Sequence, residues 1–89
     1  MPAIMVLPAQ YDHPPSIPVI DKVMSRDEVT ALCSAKAHRA LPPGEWFNGC
    51  SATIAGKCYI WRVDDAAVFR HERAHCNGWP YNHPPYMRY

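Results

Sequence analysis

The segment HERAHCNGWPYNHP, residues 71–84, holds three of the five histidines of this 89-residue chain. The residues that lead into it, from Ala66 to Cys76, include no proline or glycine and follow Asp64-Asp65, which offers an N-cap, so an α-helix can run through them. The Asn-Gly pair that follows is a common C-terminal cap, and the proline two residues later ends any helix. Side chains four residues apart lie on one helix face. The sequence therefore predicts a helix that presents His71 and His75 together near its C-terminal end.

An earlier helix is predicted from SRDE, residues 25–28. Ser25 followed three residues later by Glu28 is the pattern of a capping box. Apolar residues then recur at helical spacing. These features predict a helix from about Arg26 to Ala40, ended by the two prolines at 42 and 43.

Between the two helices, GCSATIAGKCYIWRV at residues 49–63 predicts a β-hairpin with its turn at Gly56. The second strand, from Cys58 to Val63, is rich in aromatic and β-branched residues. Alternation puts its two aromatic side chains on one face and those of Cys58 and Ile60 on the other. The expected fold class is α+β, with an N-terminal helix, a hairpin or small antiparallel sheet, and the helix that carries the two histidines.

Residues 1–24 carry five of the ten prolines and predict an extended N-terminal arm with a short strand at Val19 to Val23. The folded domain is expected to span residues 25–89. The first ten residues have no basic region and two prolines break their apolar run, so they are not interpreted as a signal peptide. We hypothesise that the arm, with Asp12 and His13, covers the histidine site.

Charge and hydropathy argue against two classes of partner. The net charge is +1 with histidines neutral, and the basic residues are scattered singly, whereas nucleic-acid binding needs clustered Lys and Arg. No apolar run approaches the roughly 20 residues of a membrane-spanning helix. The composition fits one small globular domain with a modest core, which we expect to be a monomer.

The cysteines predict two disulfide bonds, because an even count in a small chain is typical of secreted or periplasmic proteins. Three pairings are possible, and the spacing does not choose among them. Buried free thiols in a cytosolic protein are the alternative. A four-cysteine zinc site is disfavoured because no CxxC pair is present. The four residues are Cys33, Cys50, Cys58 and Cys76.

The chemistry of the segment lies in its paired histidines and the glutamate between them. Neutral imidazole nitrogens bind zinc at about 2.0 to 2.1 Å, and one helix turn holds His71 and His75 suitably for a single Zn²⁺ ion. Glu72 can then reach a water at the same ion without being a ligand itself. This HExxH pattern, on a predicted helix that follows a strand, resembles that of the zincin metallopeptidases.

The resemblance implies zinc-dependent hydrolysis of a peptide or protein substrate by a zinc-activated water, with Glu72 as general base. The order of helix, hairpin and HExxH helix is also similar to the minimal zincin core and covers about residues 25–84. In that family an edge strand beside the active-site helix pairs with extended substrate. Here that strand would be Lys57 to Val63 or its hairpin partner.

A catalytic zinc takes three protein ligands and keeps one open position. Metzincins take the third from HExxHxxGxxH; Gly78 matches the glycine, but His83 falls two positions late. The chain is therefore not an ordinary metzincin, and it lacks the downstream acidic ligands of gluzincins and aspzincins. On ligand type and reach, His83 is the preferred third ligand. The alternatives are Asp64, Asp65, Glu45, His38 and His13, while Cys76 is expected to be structural.

Two other interpretations of the segment stay open. A purely structural zinc site would fix the helix to the C-terminal tail, and such a site has no need of Glu72. A solvated helix end is the other interpretation, because histidine interacts favourably with a helix C-terminus. Tyr81 and Tyr86 are candidates to stabilise an oxyanion, although aromatic residues of a tail more often serve packing.

Overall fold

The computed structural model describes residues 7–37 and 43–81. Its elements are a 3-10 turn (Ala9–Tyr11), strand β1 (Val19–Val23), helix α1 (Arg26–Lys36), strand β2 (Gly49–Ile54), strand β3 (Lys57–Arg62) and helix α2 (Ala66–Cys76). Two helices and a three-stranded mixed sheet confirm the α+β class. No helix within these two ranges is long and apolar enough to cross a membrane.

The sheet has the order β1-β3-β2, so β3 is its central strand. β2 pairs antiparallel with β3, as the hairpin predicted, but β1 pairs parallel with β3, placing Val19 beside Cys58 and Val23 beside Arg62. The expected hairpin is therefore confirmed, but the sheet that contains it is mixed rather than antiparallel. Between β1 and the hairpin the chain passes through α1, which supplies the long crossover that parallel strands require. An ion pair between Asp21 and Arg62, at 2.8 Å, joins the two parallel strands.

The strand register places the two helices on opposite faces of the sheet. Cys50 lies beside Trp61 and is bonded to Cys33 of α1. Cys58 points to the other face, because side chains alternate along a strand, and it is bonded to Cys76 of α2. The two expected disulfides are thus formed, and each fastens one helix to the sheet. Such bonds form and persist in oxidising environments.

Both helices begin at the predicted caps. Ser25 and Glu28 form the capping box of α1. The Asp65 carboxylate accepts the backbone N–H of Ala67 at 2.8 Å and so caps α2. α2 then ends at Cys76, as predicted. Each cap satisfies backbone donors that the first helical turn leaves without partners.

α1 is shorter than predicted, since it ends at Lys36 rather than Ala40. Its last buried residue is Cys33, and Ala37 already closes the helix with its N–H on the Cys33 carbonyl at 2.9 Å. Apolar spacing as far as Ala37 and the prolines at 42 and 43 predicted the longer helix, but residues 35–37 are exposed and gain little burial against the sheet. Ala40 itself lies outside the described residues.

The hairpin turn forms at Ala55 and Gly56, whose φ angles are 50° and 77°. Positive φ at both central residues is the geometry that suits a two-residue hairpin loop, and glycine adopts it without strain. The following strand occupies Lys57–Arg62, one residue earlier than predicted.

The arm before β1 packs on the side of α2 that faces away from the sheet. Leu7 and Tyr11 lie against Ala74 and Trp79. Ala74 is two residues from Glu72, about 200° around the helix, and Glu72 faces β2. The arm therefore braces α2 from its outer side, and Trp79 stands between the arm and the histidines.

The ion pair between Asp12 and Arg70 predicts an acid-labile contribution to this docking. The Arg70 guanidinium, through its hydrogen bond, holds the pKa of Asp12 below its ordinary value of 3.8. Because the folded-state pKa is depressed, the stabilisation is present above the unfolded-state value and is lost as pH falls through the folded-state value. We expect the small difference in unfolding free energy between wild type and Asp12→Asn to vanish in acid. Denaturant unfolding at a series of pH values measures it; a difference that survives at about pH 1 would contradict the assignment.

Candidate metal centre

His71 and His75 of α2 converge on one point. Both rings are buried, and their Nε2 atoms lie 3.2 Å apart. Two nitrogens bound to one tetrahedral zinc at 2.0–2.1 Å would lie about 3.3 Å apart. The separation of the two donors is therefore compatible with a single ion. The same separation lets one ring donate its Nε2–H to the other.

The His75 ring is held from three directions. Its Nδ1 lies 2.7 Å from the Trp79 carbonyl oxygen, to which it donates, so the Nε2 lone pair is left to face His71. The rings of Trp79 and Tyr81 both stack on the imidazole, nearly parallel to it. Their centroids lie 5.0 Å and 4.2 Å from the centroid of the His75 ring. Gly78, with φ of 96°, lets the chain turn back so that Trp79 reaches the ring. The Nδ1 contact therefore leaves Nε2 as the ring nitrogen of His75 that faces His71.

Glu72 projects from the same turn towards β2 and is only 3% exposed. Gly49 makes this close approach possible. A Cβ at Gly49 would lie 2.6 Å from Cγ1 of Val68 and 3.4 Å from Cγ of Glu72, so any larger residue would push α2 away from the strand. The missing side chain of Gly49 thus sets the distance between the glutamate and the sheet.

Burial raises the pKa of Glu72 to about 7, and a hydrogen bond from the Ser51 hydroxyl partly opposes that rise. Loss of hydration disfavours the charged carboxylate, whereas a hydroxyl donor stabilises it. A divalent cation on the neighbouring histidines would favour the carboxylate and lower the pKa again.

Ser51 and Tyr81 complete the wall beside Glu72. The Tyr81 hydroxyl donates to the Ser51 carbonyl at 3.1 Å and lies 3.1 Å from Ser51 Oγ. The Val63 N–H donates to the Asn48 carbonyl. Hydrogen-bonded and non-hydrogen-bonded residue pairs alternate along two antiparallel strands. The backbone N–H and C=O of Ser51 therefore point away from β3, towards the open edge of β2. Sequence reasoning did not select Ser51, because a lone serine in a strand carries no motif.

β2, rather than β3, has the position of an edge strand. β3 is flanked by β1 and β2, whereas β2 has one strand neighbour among the described residues. Of the two strands proposed from the zincin resemblance, Lys57 to Val63 is therefore internal and its hairpin partner is the candidate. β2 is also the strand that Glu72 faces.

The third ligand is not found among the described residues, where no three His, Cys, Asp or Glu side chains gather as a metal site. Asp65 caps α2, and Asp64 is exposed. His13 is exposed and bonds carbonyls of its own arm, while Glu45 lines a shallow cleft before β2 with Trp46. Three residues named from the sequence lie outside the described ranges: His38, His83 and Tyr86.

Cys76 cannot be a metal ligand while it is bonded to Cys58 of β3, which agrees with its expected structural role. It directly follows His75. The disulfide therefore anchors the end of α2, and with it the second histidine, to the central strand.

Removing each disulfide in turn separates anchoring from general stability. The bonded residues are 17 and 18 positions apart, so either loss should cost about 3 kcal/mol. We expect Cys58→Ser/Cys76→Ser to weaken zinc binding about tenfold, because the support of His75 is lost. Cys33→Ser/Cys50→Ser is the matched control and should keep wild-type affinity. Competition with a chromophoric chelator measures both; equal affinities would contradict an anchoring role.

Comparisons with protein-family models, curated proteins and solved structures found no match to this chain.

Proposed function

We propose that this chain is a small zinc-dependent peptidase in which His71 and His75 bind the metal and Glu72 is the general base. The observation that carries the proposal is the convergence of the two Nε2 atoms, 3.2 Å apart, with a buried glutamate on the same helix turn. A structural site has no need of that carboxylate, whereas hydrolysis requires a base. His83 is retained as the third ligand on its chemistry and its reach in sequence.

When bound, zinc would polarise the scissile carbonyl and activate the attacking water. Glu72 accepts the proton of that water and later delivers it to the leaving amine. Its carboxylate is held between α2 and β2, against Gly49 and Ser51. Because the surrounding protein excludes bulk solvent, electrostatic interactions of the carboxylate are stronger there than in water.

The edge of β2 supports a peptide as substrate. This strand lies beside the turn of α2 that carries Glu72. An extended peptide can add to a sheet edge through main-chain hydrogen bonds. The Tyr81 hydroxyl donates a hydrogen bond to the Ser51 carbonyl. A peptide that pairs with that carbonyl therefore has to displace the hydroxyl.

A non-catalytic zinc-binding module is the second candidate, and the burial of the site favours it. His71, Glu72 and His75 are 8%, 3% and 7% exposed. Structural zinc sites are closed and hold four protein ligands, whereas catalytic sites keep one position open. Such a module would bind zinc without hydrolysing peptides.

Hydrolysis of unstructured peptides by the zinc-loaded chain tests the proposal. New peptide termini, detected by mass spectrometry, are expected to disappear on chelation and to return with added zinc. Cleavage that persists in chelator would contradict the zinc mechanism. Zinc binding without any cleavage would select the structural module instead.

We also propose that the protein works outside the cell or in a periplasm. The two disulfides support an oxidising location. Protein taken from its native compartment should therefore contain no alkylatable thiol, and recovery of free thiols there would contradict this location.

A further inference from the structure

The strongest feature outside the histidine pair is the contact between the N-terminal arm and the turn after α2. The side chain of Asn77 donates from Nδ2 to two carbonyls of the arm, that of Tyr11 at 2.9 Å and that of His13 at 2.6 Å. Asn77 is also the C-cap of α2, with its own N–H on the Ala74 carbonyl. One residue therefore joins the helix end to the arm.

The turn held by Asn77 carries the group that orients His75. Two residues later, the Trp79 carbonyl accepts the Nδ1–H of His75 at 2.7 Å. The Tyr11 ring stacks on the Trp79 indole, with centroids 6.4 Å apart and planes within 20°. The arm thus contacts Trp79 directly by stacking and indirectly through Asn77.

A second attachment lies further up the outer face of α2. The Asp12 carboxylate accepts a two-pronged hydrogen bond from the Arg70 guanidinium and a longer contact from Arg73 at 3.5 Å. Arg70 immediately precedes His71. Three kinds of contact therefore hold residues 11–13 of the arm: the ion pair of Asp12, the hydrogen bonds from the Asn77 side chain, and the stacking of Tyr11 on Trp79.

We propose that the arm and Asn77 act as positioning residues for the metal site, by holding the Trp79 carbonyl where it fixes the tautomer and orientation of His75. A hydrogen bond to the second ring nitrogen determines which nitrogen of a histidine remains available to a metal. The assignment rests on the proposed metal role of His75. It adds that a segment far from HERAH in sequence, the arm, tunes affinity for the ion.

The test compares Asn77→Ala, Asp12→Asn and a control, Ser25→Ala. The control removes the cap of α1, on the opposite face of the sheet, at a cost of about 1 kcal/mol. Arm release is followed by limited proteolysis, zinc affinity by chelator competition, and the His75 tautomer by ¹⁵N NMR of the metal-free protein. The NMR measurement of the His75 tautomer does not require bound metal.

We expect Asn77→Ala to expose the arm to protease, to weaken zinc binding about tenfold, and to replace the single Nδ1–H form of His75 by a tautomer mixture. Asp12→Asn should act in the same direction more weakly, and Ser25→Ala should leave affinity and tautomer unchanged. If Asn77→Ala does not fold, Asp12→Asn decides.

An arm released by either variant with unchanged affinity and tautomer would overturn the proposal. An arm that stays protected in Asn77→Ala would overturn the role given to Asn77. Failure of the wild type to bind zinc refutes the proposed function, yet the tautomer comparison still decides whether the arm positions His75.

Discussion

Glu72→Gln is expected to keep zinc and to lose hydrolysis by roughly 10²- to 10⁴-fold. The substitution keeps the size of the side chain and leaves His71 and His75 in place, but an amide cannot accept the proton of the attacking water. Glu72 is buried between α2 and β2, so the near-equal volume of glutamine also preserves packing there. The measurements are metal content and kcat/KM on a peptide substrate.

Glu28→Gln is the matched control for this prediction. It makes the same chemical change at an exposed position in the α1 capping box, and glutamine serves in such a box as well as glutamate. The control should therefore keep full activity. Wild-type turnover in Glu72→Gln with zinc bound would remove the general-base assignment, and loss of zinc would mean that Glu72 holds the metal.

His71→Ala is expected to abolish stabilisation by zinc. A ligand that binds only the folded state stabilises it by about 2.7 kcal/mol at a free concentration 100 times its Kd. The wild type should gain that amount, whereas a site with one imidazole removed should gain almost nothing. Because alanine also leaves a void beside His75 and Trp79, unfolding is compared with and without zinc within each variant.

Ser25→Ala is the corresponding control, since it removes only the cap of α1, on the opposite face of the sheet. It should respond to zinc as the wild type does. Equal zinc stabilisation of His71→Ala and wild type would show that the ion binds elsewhere.

Local signals predicted the elements that position the site. The bounds of α2 were predicted by the Asp65 cap and by the absence of proline and glycine from Ala66 to Cys76. The Ser25–Glu28 capping box likewise predicted the start of α1. These signals act within a few residues, so sequence alone contains them. The side-by-side placement of His71 and His75 follows from the same helical periodicity.

Long-range choices were not predictable in the same way. The parallel pairing of β1 with β3 brings together residues that are far apart in the chain, such as Asp21 and Arg62, and VIDKV alone does not name its partner. The disulfide pairing likewise depends on which face of the sheet each helix covers. Sequence spacing does not choose among the possible pairings, and the register of the hairpin places Cys50 and Cys58 on opposite faces of the sheet.

Sequence patterns also did not indicate the backbone groups and small residues that shape the site. The Trp79 carbonyl that orients His75 is a property of the turn at Gly78, whichever side chain follows that glycine. Gly49 matters because it has no side chain, which lets α2 approach β2 closely. Ser51 matters because it lies on β2, where it contacts Tyr81. None of these carries a motif, because their roles come from packing against α2.

The most direct measurement is the metal content of the untagged native protein, alongside His83→Ala. We expect about one zinc per chain, lost or weakened in the variant, since catalytic zinc takes three protein ligands. One zinc unaffected by the variant would keep the His71–His75 pair and exclude His83 as the third ligand. A folded protein that contains no zinc and takes up none would contradict the central claim.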